Sequence, residues 1–315
     1  MKEQRTISER QTMRERHADT HGATRETARE TRLNRRDMLA GVGAGIGALA
    51  LLPAGAHATA QAAPREARPP ALPLPPDATL DDFMFMRGSP DGEPVMWVYS
   101  GVFVVRPEGR RARPLARIEG VSYTQASRGE DGAWAFSLEE VGYFCDLATG
   151  KVLTALHNPF TGETVAPRPY RSPQRLVFAG NEVTPADALP PGIDFRGEVT
   201  RLAAIGDTLA MTEDLYVRVP PMSGPEGERP ERIANSLATF IASAAAVRNR
   251  GEAWIDCTFA YTTMNTFIPW LGMASIPGVQ NMRLIGTKFR PDAADAIPQT
   301  LRERIDADHP DFLLA

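Results

Sequence analysis

Arg201 and Glu213 are the two residues whose types and spacing suggest chemistry most directly. If Gly206, Asp207 and Thr208 form a three-residue hairpin loop, Ile205 faces Leu209, Ala203 faces Met211, Val199 faces Leu215 and Phe195 faces Val219. Arg201 then lies directly opposite Glu213, a charged pair within an apolar stripe. A two-residue loop would mix the faces. Such a pair is costly unless hydrogen-bonded, so it reads either as a structural ion pair or as an anchor for the polar group of a ligand. In the second case Glu213 could serve as acid or base, tuned by Arg201. Asp256, on the face shared with Trp254 and Thr258, is a further candidate, although a solvated strand face explains it equally well. Trp97, Tyr99, Tyr143, Trp254 and Trp270 either fill a core or line a cavity. Trp270, between Pro269 and Leu271, sits in an irregular segment suited to a lid.

Elimination narrows the chemistry. His157 and His309 are the only histidines after position 57, and neither belongs to a His-x-His, His-Glu-x-x-His or Cys-x-x-Cys pattern. A metal site is therefore not expected, nor any other cofactor. There is no Gly-x-Ser-x-Gly elbow and no Gly-Lys-Ser/Thr phosphate cradle. His157, just before Asn158-Pro159, reads as a general base at a barrel mouth or, for want of a partner beside it, as a strand-end histidine. His309, before Pro310, reads as a cation at a helix terminus. Cys145 and Cys257 could pair, closing a loop worth about 4 kcal/mol, or serve as small buried hydrophobes. A thiol pair is the weaker reading for a chain that folds in a reducing cytosol before export.

Positioning such residues requires a scaffold, and the dominant pattern has period two. No Phe, Trp or Tyr precedes Phe83, so an aromatic core must be built from residue 83 onward. Val95 to Val105 is apolar on both faces and predicts a central strand. Further strands are predicted at 117–127, 133–138, 141–146, 151–156, 175–179 and 253–261. Turns are predicted at Asp146 to Gly150 and Asn158 to Gly162. Asn235 to Val247 is read as strand, although its alanines favour helix. Ile297 to Asp308 predicts a helix opened by Pro298, with Leu301 and Ile305 buried. The fold class is mainly β: an antiparallel barrel or strongly curved sheet, calycin-like, with a few peripheral helices. A β-sandwich is the alternative.

Ahead of this domain, Arg35-Arg36 precedes an uncharged stretch from Leu39 to Ala54 and a small-residue cleavage site at Ala56-His57-Ala58. Residues 1–58 read as a twin-arginine signal peptide with a long polar leading region, cut near Ala58 and handled by the twin-arginine translocase. The Gly-diluted apolar stretch is too short for a stable membrane span after cleavage. Residues 59–76 form a Pro-rich linker, and residues 77–315 a single β-rich domain. Residues 1–38 hold ten Lys and Arg against seven Asp and Glu, so the rest of a chain of net charge −4 carries −7. That charge gives no reason to expect nucleic acid as a partner.

Several segments resemble an exported bacterial family, domain-of-unknown-function family 1838. They are Met86-Arg87-Gly88-Ser89 with Asp91-Gly92, Val141-Gly142-Tyr143-Phe144-Cys145-Asp146 with Thr149-Gly150, Asn158 to Glu163, and Pro269 to Met273 with Pro277-Gly278. The resemblance implies one domain and assigns no catalytic residue. Cys145 stands where a tyrosine or leucine is expected of the family. The residues together favour a periplasmic protein that binds a small, largely apolar molecule in a barrel. A cofactor-free isomerase, lyase or hydrolase, or an envelope structural protein, stays open.

Overall fold

The structure is a computed structural model that describes residues 79–89, 91–224, 227–249 and 254–312. The signal and linker segments lie outside the described residues. In chain order the elements are α1 (Leu80–Arg87), β1 (Val95–Pro107), β2 (Arg113–Arg128), β3 (Trp134–Cys145), β4 (Leu156–His157), β5 (Thr164–Val165), β6 (Tyr170–Ala179), β7 (Glu182–Pro185), β8 (Asp194–Ile205) and β9 (Thr208–Val219). After these come β10 (Met222–Gly224), β11 (Gly227–Arg229), β12 (Arg232–Ser243), α2 (Ala244–Arg248), β13 (Thr258–Asn265), β14 (Gly278–Phe289) and α3 (Gln299–Asp308). Ten strands close an antiparallel barrel in the order β1-β14-β13-β12-β9-β8-β7-β6-β3-β2, and β4-β5 and β10-β11 are separate two-stranded hairpins.

Closure explains why β1 is apolar on both faces. Trp97, Tyr99, Phe103 and Val105 join the main core inside the barrel, while Met96 joins a second cluster outside it, under α3. That outer cluster contains Leu301 and Ile305, the helix positions expected to be buried. Gly101 belongs to the inward row of β1, and a Cβ there would sit 2.7 Å from Leu284 Cα on β14.

One end of the barrel is plugged by α1, a helix that periodicity did not predict. Thr79 and Asp82 form a capping box, the Asp82 amide donating to Thr79 Oγ1 at 3.2 Å and the Thr79 amide to Asp82 Oδ2 at 2.7 Å. Phe83, Met84, Phe85 and Met86 are all buried, as befits a short helix apolar on every side. Phe83 meets the rings of Phe178 on β6 and Phe240 on β12, and Trp97 Nε1 donates to the Arg87 carbonyl at 3.2 Å.

Several expectations are corrected. The strands predicted at 133–138 and 141–146 are one strand, β3. The gap between them, Glu139-Glu140, is continuous ladder because Glu139 pairs with Arg171 and Glu140 enters the lumen. The segment 151–156 is not a ladder strand. β6 pairs with β3 only as far as Gly142, and beside the last residues of β3 the segment makes a single bridge, Val152 to Cys145, with the Leu153 amide donating to the Phe144 carbonyl. The strand predicted from 253 begins at Thr258. Asn235 to Val247 divides: strand to Ser243, then helix over the alanines, with Asp207 accepting from Ser243 Oγ at 2.5 Å and from the Ala245 amide at 2.7 Å.

The hairpin register also differs from expectation. Ile205 pairs with Thr208 across Gly206-Asp207, and the ladder then shifts between Arg201 and Ala203. That bulge adds one residue to β8 and resets its alternation, so Val199 keeps its inward face despite the shorter loop. Arg201 consequently pairs with Met211, and the residue opposite Glu213 is Val199.

Candidate functional site

Within a largely apolar barrel interior, a band of buried polar side chains lies at mid-height on β2, β3 and β6. One hydrogen-bonded row carries Trp97 on β1, Ser122 on β2, Glu140 on β3 and Ser172 on β6. Ser122, Glu140 and Ser172 are fully buried. The next row toward α1 adds Thr124 and Gln174, and the next row away from it holds Tyr99, Gly120, Gly142 and Tyr170. Because strand side chains alternate, all these residues face the lumen together.

Two glycines shape the centre of this cluster. Any Cβ on Gly120 would overlap the Tyr99 ring, and any Cβ on Gly142 would overlap that of Tyr170. With no side chain beneath them, both rings lie flat against neighbouring strands and their hydroxyls meet at 2.9 Å. The Tyr99 hydroxyl also donates to the Val141 carbonyl at 3.4 Å, beside the Glu140 carboxyl. Burial, reinforced by the Glu140 charge, holds the Tyr99 and Tyr170 phenols well above the ordinary range, and Tyr261 on β13 is raised for the same reasons. All three therefore remain protonated donors at neutral pH.

The flanking groups are less satisfied. Ser122 Oγ, Thr124 Oγ1, Ser172 Oγ and both side-chain polar atoms of Gln174 are buried without a protein hydrogen-bond partner. Buried polar groups are almost always bonded, so five such atoms in one patch mark a place that water or a ligand completes.

Glu213 is engaged elsewhere. Its carboxylate forms an ion pair with Arg87 at the end of α1, the two side chains being 2% and 1% exposed. The Arg87 guanidinium lies 4.0 Å from the centre of the Phe136 ring and within 6 Å of those of Phe83, Phe178 and Phe240. Burial lowers its pKa, and the opposing carboxylate favours the charged form. The pair locks the plug to β9.

The remaining candidates separate. Trp97 and Tyr99 are inside the barrel. Tyr143 faces outward beneath α3, its hydroxyl donating to the Arg304 carbonyl at 3.4 Å. His157 is exposed on β4. His309 ends α3, where burial and then Arg171 lower its pKa, disfavouring the cation expected there. Trp254 and Asp256 line a cavity of about 520 Å³ together with Lys288, Arg290 and Cys257. Lys288 donates to the Phe85 carbonyl of α1 at 2.9 Å, and burial pulls its pKa down to about 8. This cavity shares no residue with the mid-lumen cluster. Cys145 and Cys257 are free, buried thiols, one in the outer cluster and one in the inner.

The barrel end opposite α1 is covered by a 3-10 turn, Pro269–Leu271, closed by Gly272 in the left-handed conformation. Trp270 packs at a tilt against Phe103 and edge-to-face against Phe144, with centroids 5.9 and 5.0 Å away. Two hydrogen bonds hold the turn: Asn158 Nδ2 to the Leu271 carbonyl at 2.9 Å, and the Ile268 amide to Gln280 Oε1 at 2.8 Å. The indole nitrogen of Trp270 is buried without a partner.

Among the described residues no group of three or more His, Cys, Asp and Glu side chains is arranged to hold a metal ion, and no helix is long and apolar enough to cross a membrane. Sequence reasoning missed Glu140, Ser122, Ser172, Gln174 and Tyr170. The signal available was parity: once β3 is continuous, Glu140 shares a face with Leu138, Gly142 and Phe144.

Fold and site together define a closed, plugged ten-stranded β-barrel with a polar centre. Over residues 92–167, β1 through β5, the chain matches the model of a family described as a protein of unknown function, DUF1838. This stretch supplies Tyr99, Gly120, Ser122, Thr124, Glu140 and Gly142. It bears out the resemblance there, while the segments at Met86 to Ser89 and Pro269 to Gly278 lie outside the match. No curated protein and no solved structure matches the chain.

Proposed function

We propose that this barrel binds a small, largely apolar molecule in its lumen, with one polar group of that molecule held at mid-height by Ser122, Ser172, Gln174 and the Glu140-Tyr99-Tyr170 set. The observation that carries this reading is the patch of fully buried hydroxyl and amide atoms without protein partners, set among aromatic walls. Glu213 neutralises Arg87 rather than standing opposite Arg201, which pairs along the ladder with Met211. The Trp270 turn is the natural gate, since it is irregular and held at two points, whereas α1 is tied in by an ion pair and several side-chain hydrogen bonds. Native mass spectrometry of protein purified from its own cells is expected to find a retained small molecule. Ser122→Ala combined with Ser172→Ala should lower the retained fraction by about tenfold, the loss of one to two hydrogen bonds, while leaving the fold intact. Wild-type protein that is consistently ligand-free, with a double variant more stable than wild type, would overturn the reading.

We further propose that the protein works in the periplasm after export by the twin-arginine translocase. Paired arginines ahead of a weakly apolar stretch support this. Replacing Arg35 and Arg36 by Lys should leave the precursor in the cytoplasm, and the exported form should begin at or within a few residues of Thr59. Normal export of the double-Lys variant would instead indicate the general secretory route.

A further inference from the structure

We infer that the mid-lumen cluster is a proton-transfer site for an apolar carbonyl compound, in which Glu140 acts as the base at the carbon next to the carbonyl. This rests on the lumen-binding reading and adds a reaction class to it.

The row Ser122-Glu140-Ser172 sets the geometry. Neighbouring strands lie about 4.8 Å apart, so a molecule seated against this row touches the carboxyl and both hydroxyls at once. Gln174, one inward position along β6, offers an amide N–H that no protein atom accepts. These are neutral donors in a water-excluded space, the arrangement that stabilises an oxyanion as it forms. Tyr99 has a different task. Seated over the two glycine notches, it shares a 2.9 Å contact with Tyr170 and donates to the Val141 carbonyl, so the two rings form a fixed wall beside the Glu140 carboxyl. We assign Tyr99 and Tyr170 as positioning residues, and Glu140, Ser122, Ser172 and Gln174 as the groups that touch substrate. The walls, including Trp97, Phe144 and Phe259, suit an apolar ring system.

The step balances without a cofactor. The Glu140 carboxylate takes a proton from the carbon α to the carbonyl. The C–H bonding pair becomes the C=C of an enolate, and the carbonyl π pair moves to oxygen, where Gln174 and the serine hydroxyls donate to it. Return of the same proton to the α carbon restores the substrate. In a β,γ-unsaturated ketone, return to the γ carbon moves the double bond into conjugation. Glu140 is regenerated, and nothing is oxidised or reduced.

A phenolate copies the planar, oxygen-charged enolate, and Glu140→Gln copies the protonated base beside it. The variant should therefore bind 4-nitrophenolate about tenfold tighter than wild type does, with the ionised absorption band retained in the complex. Adding Gln174→Leu and Ser172→Ala should abolish that gain. Equal or weaker phenolate binding by Glu140→Gln, while wild type still retains its lumen ligand by mass spectrometry, would overturn proton transfer and leave binding standing. An empty wild-type lumen that takes up no phenolate would overturn both. Should Glu140→Gln fail to fold, wild-type protein decides: it should speed deuterium uptake at the α carbons of 2-tetralone above the buffer rate, and uptake at the buffer rate would sink the inference.

Discussion

Glu213→Gln should destabilise the protein by about 3–5 kcal/mol, because it leaves a guanidinium buried among four aromatic rings without its counter-ion. Magnitude separates the alternatives: an exposed ion pair is worth about 1 kcal/mol or less. The aromatic faces around Arg87 supply some compensation, yet even a desolvated cation–π contact contributes only about 2 kcal/mol. Arg87→Met combined with Glu213→Leu should recover most of the loss, since two charges of similar size to their replacements leave the interior together. Denaturant unfolding of the single and double variants measures this directly. The expected pattern is strong coupling, with the double variant more stable than either single one. Additive effects, or a Glu213→Gln variant within about 1 kcal/mol of wild type, would mean that α1 is not locked into the barrel as described. The plug is the reason for expecting a global effect, since Arg87 is the last residue of α1 and Glu213 lies in the barrel wall.

The second large effect is expected at Gly142. Alanine there would place a methyl group against the Tyr170 ring, 2.7 Å from its Cε1 atom, and Tyr170 is fully buried. Overpacking of a closed core costs about 1–3 kcal/mol, and more when the displaced group is a whole ring. Gly142→Ala should lose stability at the upper end of that range and also lose the retained lumen ligand, because the Tyr170 hydroxyl can no longer meet that of Tyr99. Tyr170→Ala added to Gly142→Ala should relieve the overlap and recover part of the stability, but not the ligand. Melting curves and native mass spectrometry on the two variants test both halves. A Gly142→Ala protein that melts with wild type and keeps its ligand would show that the tyrosine ring is free to move, and the notch would then have no role in shaping the site.

What could be read from the chain alone was whatever depends on neighbours in sequence. Alternation in Val95 to Val105 marked β1, and Gly150 and Gly162 marked turns that need positive φ. Leu301 and Ile305, four apart, marked the buried side of α3. These are local constraints, and local spacing settles them. Barrel geometry as a class came with them, since many alternating segments with apolar inner faces must close or stack.

The site depended on tertiary structure, for three separable reasons. A two-residue loop and a bulge at Leu202 each shift the register by one, and together they move Arg201 two places along the ladder, from Glu213 to Met211. The true partner, Arg87, comes from a remote helix whose capping box at Thr79 and Asp82 was legible but whose destination inside the barrel was not. Glu140 looked like half of a charged break, because Glu139 beside it is a surface residue paired with Arg171. In a closed barrel the two faces of a strand lead to opposite environments. Position 143 thus lies under α3, whereas 140, 142 and 144 enter the lumen. Residue type and spacing determined that this chain makes a mainly β domain, barrel or sandwich, with a polar residue somewhere on an inner face. Closure, which brings β1, β2, β3 and β6 around one volume, decided which polar residues meet there.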